Sequence, residues 1–565
     1  MHDHKILNIP AADLALQELF RRELGISPIV AQVLINRGVK DPAAAERFLS
    51  SSLRDLLDPY AFADMHTAVG LIEKVRLQRQ KVLIFGDYDV DGMTSLSLLK
   101  STFAGMGIET DHYIPHRVKE GYGLSKNILQ IARQKKAGLV VTVDCGTNSH
   151  AEIRQLRQHG IEVVVTDHHE QDGSDEKSAS ALINPKAAGS SYGYRDLAGV
   201  GVAFKLCQAL RAGNDDEVFD GLDLVCLGTI ADVVPLTGEN RIFAREGLRR
   251  LSVTKKPGLK ALMEVSKIKP ERMNAGFVSY ILAPRLNASG RMDTAETALR
   301  LLLSADAEEA HTLARQIDLC NRERQKVESR ILDEAQSLID REVNFKEHKV
   351  IVLAKEDWHQ GVLGIVASKL ADRFYRPTII ISLNEGLCKG SGRSIRNFHL
   401  FGALAECKEL LKSFGGHSHA AGLVIPRGNI SDFREKINRL AGERLRIEDL
   451  IPAIDIDMEV PFSALDDTAV RQFEQLEPFG CANPEPLFYT RNLTLKSEPQ
   501  VLSRYTLKFW ATDGNATYQV IGFGMAGFKE GLMTAGSFDL VYRPQIDSWN
   551  GRETLVLEAS EIFIR

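Results

Sequence analysis

The sequence predicts an α/β protein: a parallel-sheet domain joined by a long helix to a second α/β domain and followed by a C-terminal β-barrel. Three observations carry that reading. Apolar, β-branched runs alternate with amphipathic helical patterns between residues 81 and 168, the stretch from Arg291 to Val350 holds neither glycine nor proline, and the residues after about 450 form short β-rich segments.

With 565 residues the chain has room for roughly three to four domains with substantial cores. Its composition, 44% hydrophobic and 26% charged, is that of an ordinary globular protein. No apolar run reaches about 18 residues, and the start "MHDHKILNIP" lacks the basic and apolar regions of a secretory signal, so a cytoplasmic protein without membrane contact is expected. Seven cysteines without a C-x-x-C pair suit reduced thiols better than disulfides or a thiolate zinc site. The net charge of -5 argues against a polybasic coat but leaves room for a local basic groove.

Taken in order, "KVLIFGD", "TDHYIPHR", "GLVVTVD" and "IEVVVTD" read as buried strands, separated by helices through "MTSLSLLKSTFAGM", "SKNILQIARQKK" and "HAEIRQLRQHG". Near-continuous apolar strands alternating with helices indicate βαβ units and a sheet covered on both faces. The segment "ARQIDLCNRERQKVESRILDEAQSLIDREV" keeps apolar residues near a 3.6 period and is otherwise charged, which predicts one long connecting helix, exposed over much of its length. A second α/β pattern follows through "KVIVLA", "GVLGIVASKLADRF", "RPTIIIS", the Gly/Ser-rich "KGSGRSI", "LFGALAECKELLKSF" and "HAAGLVI". Last come "TLKFWAT", "TYQVIGFG", "SFDLVYRP" and "TLVLEASEIFI", with "WNG" at 549 to 551 as a hairpin turn, and about five such strands fit a small barrel such as the OB-fold. The expected divisions are an N-terminal extension over 1–48, the parallel-sheet domain over 49–303, the connecting helix over 304–345, the second α/β domain over 346–450 and the barrel over 451–565.

The informative feature is where the carboxylates fall. Three strands end in an acid, at Asp87, Asp144 and Asp167, the last followed by His168 and His169, and Asp232 closes the apolar stretch "LVCLGTIAD". In an open parallel sheet ligands bind beyond the carboxyl ends of the strands, so these groups should converge on one edge. Carboxylates brought that close raise one another's pKa values unless cations sit among them. A calcium loop is the rival reading of "DYDVDG", which supplies acids at loop positions 1, 3 and 5 and a glycine at 6. Position 12, however, is Leu98 instead of a bidentate Glu, and the segment follows a strand instead of a helix. A P-loop fails for want of Gly-Lys-Ser/Thr, and the glycines of "AGVGVAF" make no dinucleotide fingerprint. A solvated acidic turn explains any one site but not all of them together. Mixed Asp and His ligands suit Mn²⁺ or Mg²⁺, and two such ions sharing a carboxylate serve phosphoester hydrolysis.

At "DYDVDG", "VTVDCG", "VTDHH" and "GTIADVVPL" the sequence resembles the DHH phosphoesterase family. "IPHRVKEGYGL", "LAPRLNASGRM", "WHQGVLGIVASKLADRF", "KGSGRS", "FGGHSHAAG" and "LEPFGCANPEPLF" extend the resemblance to its bacterial RecJ branch, from about residue 25 to the end. The resemblance implies a DHH domain, a linking helix, a DHH-associated domain and an OB-fold. The activity it implies is metal-dependent 5′ to 3′ exonucleolytic hydrolysis of single-stranded DNA to mononucleotides, in recombination and repair. By that similarity Asp87, Asp89 and Asp144 hold one metal, and Asp91, Asp144, His168 and Asp232 the other, with Asp144 bridging. His169 is expected to face substrate phosphate or the leaving oxygen, or to be a supporting hydrogen bonder, and Asp167 to orient its neighbours. Arg117, Ser391, Gly392 and Arg393 look like a pocket for a 5′-terminal phosphate, with the glycine N–H groups free to approach an anion; glycines serving only a turn are the alternative. Arg285, Asn287, Arg291 and His417 are placed to grip the strand, and Tyr122 to stack a base or to pack. In the barrel Tyr505, Phe509 and Trp510 are either base platforms or core.

Single-stranded DNA is the expected partner and a monomer the expected state. A single-strand-binding protein and a helicase are further partners in the family. The sequence ends at "EIFIR", so the additional C-terminal domain that some members carry is expected to be absent, which leaves those two contacts open. Two alternatives stand beside the exonuclease: a DHH-family hydrolase of short oligonucleotides, and a catalytically silent single-strand-binding scaffold.

Overall fold

The computed structural model describes residues 5–173, 177–503, 505–549 and 552–565. The chain divides into two compact units, one of residues 57–232 and 247–452, the other of residues 5–56, 233–246 and 453–565.

In the first unit, strand β1 (Lys81–Gly86) leads into helix α1 (Val90–Gly105), then β2 (Thr110–Tyr113), β3 (Ala137–Val143), β4 (Glu162–Thr166) and β5 (Ala181–Ile183). The five strands are parallel, in the order β2-β1-β3-β4-β5. Leu83, Phe85, Val140, Val163 and Val165 face one layer of helices, with Ile128 and Ile153 packed on them, while the alternate Val82, Ile84, Val141 and Val164 are equally buried on the other side. That double burial is why these strands are apolar almost throughout. The chain passes from β1 to β2 on one side and returns to β3 on the other, so the topological switch point lies between β1 and β3, where Asp87 and Asp144 emerge. Helices α2 (Gly199–Leu210) and α3 (Leu222–Ala231) pack on α1, and α3 ends at Asp232.

Helix α4 (Ala283–Met292) lies along α5 (Ala307–Glu342), the long helix, whose N-cap is Asp306. It is less exposed than its charge suggests. A continuous buried face runs from Ala310 to Ile339 and holds Asp318, Asn321, Arg324 and Glu328 as well as apolar residues, with Arg324 Nη1 2.7 Å from Glu328 Oε2. The second α/β domain follows as β6 (Ile351–Glu356), α6 (Leu363–Phe374), β7 (Thr378–Leu383), β8 (Leu387–Arg393), β9 (Ser413–Gly416) and β10 (Ala420–Pro426), in sheet order β9-β10-β8-β7-β6. Here "KGSGR" is an interior strand instead of a Gly-rich loop, paired with β7 on one side and β10 on the other.

In the second unit, strands Phe488–Leu495, Thr506–Thr512, Thr517–Gly522, Phe538–Trp549 and Arg552–Ile564 close into a five-stranded barrel. Its third and fifth strands are parallel and the other pairs antiparallel, which is the OB-fold order. Of the expected hairpin turn, Asn550 and Gly551 lie outside the described residues. The barrel core also contains Phe20, Ile29, Val30, Val33 and Leu34, so the N-terminal helices are part of it. Arg241 is fully buried and donates to the carbonyls of Phe48, Gln475 and Leu476 at 2.8 to 2.9 Å, which offsets the cost of burying its charge. Among the described residues no helix is long and apolar enough to cross a membrane.

Candidate metal centre

Asp87 follows β1 directly, Asp144 follows β3 and Asp167 follows β4, so strand pairing alone carries the three carboxylates to one edge. Asp89 caps α1, accepting the Gly92 N–H at 3.1 Å, and Asp91 sits in its first turn. The glycine of "DYDVDG" serves a close approach: a Cβ on Gly92 would fall 2.5 Å from the Asp87 carbonyl oxygen. Asp144 itself takes a left-handed backbone with φ of 58°. Gly199 lets the start of α2 reach it, since a Cβ there would lie 2.8 Å from the Asp144 Cβ. The same helix start holds Asp91, whose two carboxylate oxygens accept the N–H groups of Gly199 and Val200 at 2.6 and 2.8 Å.

Three sets of ligand atoms converge, each within 4.8 Å: Asp87, Asp89 and Asp144; Asp91, His168 and Asp232; Asp144, His168 and His169. His168 Nε2 stands 3.1 Å from Asp144 Oδ1, 3.5 Å from Asp232 Oδ2 and 3.9 Å from Asp91 Oδ2. Although 3.1 Å apart, His168 Nε2 and Asp144 Oδ1 do not hydrogen-bond; both are buried without a partner, as is Asp87 Oδ1. Orphaned buried donor and acceptor atoms turned on a common point are what a cation pair would satisfy, and the oxygen-rich set with imidazole fits Mn²⁺ or Mg²⁺.

The electrostatics agree. Burial and then the neighbouring Asp89 push Asp87 well above the usual carboxylate range, and burial followed by Asp91 does the same to Asp144 and Asp232. Asp91 is pushed up to about 7 by burial and Asp89, against the two N–H bonds it accepts. Burial also takes His168 down to about 3, leaving a neutral imidazole of the kind metals bind. Asp167 goes the other way. Burial works against its charge, but the hydrogen bond and charge of His169 outweigh it and hold the carboxyl low. Asp167 Oδ1 accepts the N–H of His168 at 2.8 Å and bonds His169 Nδ1 at 2.7 Å, while Oδ2 accepts the Thr147 N–H at 2.9 Å.

Residue-by-residue reading overlooked Asn184. Its buried amide donates to the His169 carbonyl and to Thr147 Oγ1, both at 2.9 Å, tying together the groups around Asp167. The signal was available: Asn184 directly follows β5, as Asp87, Asp144 and Asp167 follow their strands.

The substrate-contact candidates separate. Arg117, Tyr122 and Ser391 line one cleft of about 610 Å³ with Tyr88, Gln360 and Phe414. The start of α6 has no side-chain cap, and its Gly364 abuts Arg393 and Ser391, at 3.0 and 3.1 Å from a built Cβ. Arg291 lies near Arg117, Arg393 and Asp89, and burial followed by the like charges takes it down to about 9. The Tyr122 hydroxyl donates to the Asp144 carbonyl at 3.3 Å and stands 2.8 Å from His169 Nδ1, while half the residue is exposed to the cleft. His417 is exposed after β9. Gly392 departs from expectation. It faces away from Ser391, against Leu400 and Ile379, and its interior strand is paired on both sides, so side chains instead of glycine N–H groups face the cleft. Arg285 is committed to Asp318 at 3.0 Å and to the Ile281 carbonyl, and Asn287 stays half-buried on α4. In the barrel Phe509 is core, whereas Trp510 and Tyr505 are 43% and 66% exposed.

Comparison with known proteins gives one answer. Residues 81–229 match the N-terminal domain of the DHH family, 347–443 the DHHA1 domain and 456–561 the RecJ OB domain. The single-stranded-DNA-specific exonuclease RecJ of Bacillus subtilis is 38% identical over 534 residues, covering 94% of this chain and 67% of its own. That of Dickeya dadantii is 37% identical, covering 94% and 95%. The crystal structure of RecJ in complex with Mn²⁺ from Thermus thermophilus superposes with a TM-score of 0.83 at 28% identity, over 99% of this chain and 79% of that one.

Proposed function

The chain belongs to the RecJ family, and on that premise we propose that it is a divalent-metal-dependent exonuclease that hydrolyses single-stranded DNA from the 5′ end to mononucleotides, in recombination and repair. The observation that carries the chemistry is the convergence of Asp87, Asp89, Asp91, Asp144, His168 and Asp232 at the sheet's switch point, with buried ligand atoms left unpaired. Asp87, Asp89 and Asp144 would hold one ion, and Asp91, Asp144, His168 and Asp232 the other, both Mn²⁺ or Mg²⁺. Bound there, such ions would supply the acidity that activates a water and the charge that offsets the phosphoryl oxygens.

The remaining steps belong to the chain. The N–H groups of Gly199 and Val200 fix the Asp91 carboxylate, and Asp167 fixes the strand end that presents both histidines. With Nδ1 engaged by Asp167, His169 has Nε2 left to donate to the substrate phosphate or to the leaving oxygen. The uncapped start of α6, Ser391, Arg393 and Arg117 together bind a terminal 5′-phosphate, which sets cleavage one nucleotide in. Arg285 is assigned to holding α4 on α5 through Asp318, and Arg291 to the strand. The exposed Trp510 and Tyr505 of the barrel suit a long single strand better than a dinucleotide.

Strands labelled at either end, incubated with Mn²⁺ beside duplex and dinucleotide controls, test this reading. Mononucleotides released from the 5′ end are the expected result; turnover of dinucleotides alone, or binding without cleavage, contradicts it. In the same assay Arg393→Ala should lose about 10- to 100-fold in kcat/KM on 5′-phosphorylated strands and treat phosphate and hydroxyl ends alike. An unchanged preference for the phosphate rules out the pocket.

A further inference from the structure

Helix α4 is preceded by a π-helical turn, Val278–Leu282, in which the Ala283 N–H bonds the Val278 carbonyl. Pro284 accounts for it. Proline has no N–H to return to the Tyr280 carbonyl, and its ring crowds that oxygen, so the turn widens. Tyr280 stands on this turn 83% exposed, the barest of the large hydrophobic and aromatic side chains among the described residues.

Tyr280 and Arg291 are separated by three helical turns, so they leave the same face, about 16 Å apart along the axis. Pro284 and Asn287 fall between them on that open face, while Leu282, Leu286 and Ser289 are buried on the opposite one and Arg285 turns aside to Asp318. The inner end of the face belongs to the cleft: a Cβ on Gly361 would meet the Arg291 carbonyl at 2.0 Å, and one on Gly290 the Tyr88 carbonyl at 2.9 Å. In the segment leading to the turn Lys267, Lys269 and Arg272 are exposed, as are Glu264 and Glu271. The face therefore starts at a guanidinium beside the metal ligands and ends at an aromatic ring in water. Phosphate contacts combined with a π face are the means by which single strands are held without regard to sequence.

We propose that Tyr280 is a stacking platform for a base of the single strand leaving the cleft along α4, at most about five stacked nucleotides from Arg291. The inference rests on the single-strand reading above. It is tested by comparing the full-length wild type with Tyr280→Ala and Tyr280→Trp, in Mn²⁺, on oligothymidylates of three and of about twenty nucleotides. Tyr280→Ala should raise KM about tenfold on the long strand with kcat unchanged, leave the trinucleotide unaffected, and be rescued by Tyr280→Trp. An unchanged KM on the long strand, an equal loss on both lengths, or tryptophan behaving as alanine overturns the platform. If the wild type does not degrade the long strand, the exonuclease reading fails by itself, and the same oligonucleotides in a fluorescence anisotropy titration still decide the platform by the same length dependence.

Discussion

Asp144→Ala should lose on the order of 10³-fold or more in turnover while binding single-stranded DNA within a few-fold of wild type. Asp144 belongs to two of the three converging ligand sets and stands 3.1 Å from the imidazole that joins the third, so its removal would dismantle both proposed ion positions at once. The groups proposed to hold the strand, Arg117, Ser391, Arg393 and Arg291, are on other elements and should keep their places. Asp144→Asn is the sharper variant, because asparagine tolerates the left-handed backbone at this position while removing the charge. It should be as inactive as alanine. In the metal-free protein it should also melt higher than wild type, since one of several mutually repelling buried carboxylates has gone. Gel assays of strand degradation, anisotropy with labelled DNA and thermal melts read the three outcomes; retention of more than a few per cent of activity contradicts the shared-ligand role.

The second large effect is a pH-dependent stabilisation by metal. Asp87, Asp91, Asp144 and Asp232 all have raised pKa values in the metal-free fold, through burial and then the charge of neighbouring carboxylates. An acid whose folded pKa is raised contributes stability that is complete below its unfolded pKa, near 3.8, and is lost as pH rises through the folded value, about 7 for Asp91. The metal-free protein therefore loses this contribution between about pH 4 and 7. His168, taken down to about 3 by burial, acts in the other sense: it costs stability as pH falls below its ordinary value of 6.5, where the unfolded chain gains the proton first. Ions bind the deprotonated ligands, so the gain in melting temperature from Mn²⁺ should be larger at about pH 7.5 than at about pH 5.5. At free Mn²⁺ near 100 times Kd the gain corresponds to about 2.7 kcal/mol. Calorimetry in buffers of different ionisation enthalpy should show protons released on binding. Equal gains at the two pH values, or a larger one at the lower, contradict this electrostatic picture.

Much of the centre was legible because a parallel sheet converts a one-dimensional pattern into a location. Buried strands are apolar almost throughout, so an acid that breaks the run at Asp87, Asp144 or Asp167 marks the edge where ligands gather. Asn184 escaped because β5 has only three residues, too few for a periodicity to show. The "KGSGR" strand escaped because glycines signal turns; here Gly390 leaves room for Ile381 and Leu423 of the neighbouring strands, and Gly392 for Leu400 of the helix packed on the sheet. The ion pair of Arg285 is not legible because its partner Asp318 is 33 residues away on another helix, and helical spacing within one segment cannot show such a pairing. That the N-terminal helices belong to the barrel core is illegible for the same reason. Phe20 and Val30 meet Phe488 and Phe509 only in the folded barrel, more than 400 residues along the chain.

The two-ion centre is tested most directly by diffraction from crystals grown with Mn²⁺, recorded near the manganese absorption edge. Two anomalous peaks about 3.5 to 4 Å apart are expected, with carboxylate oxygens of Asp144 bonded to both and His168 to one. A single peak, or a pair that Asp144 does not bridge, would contradict the account.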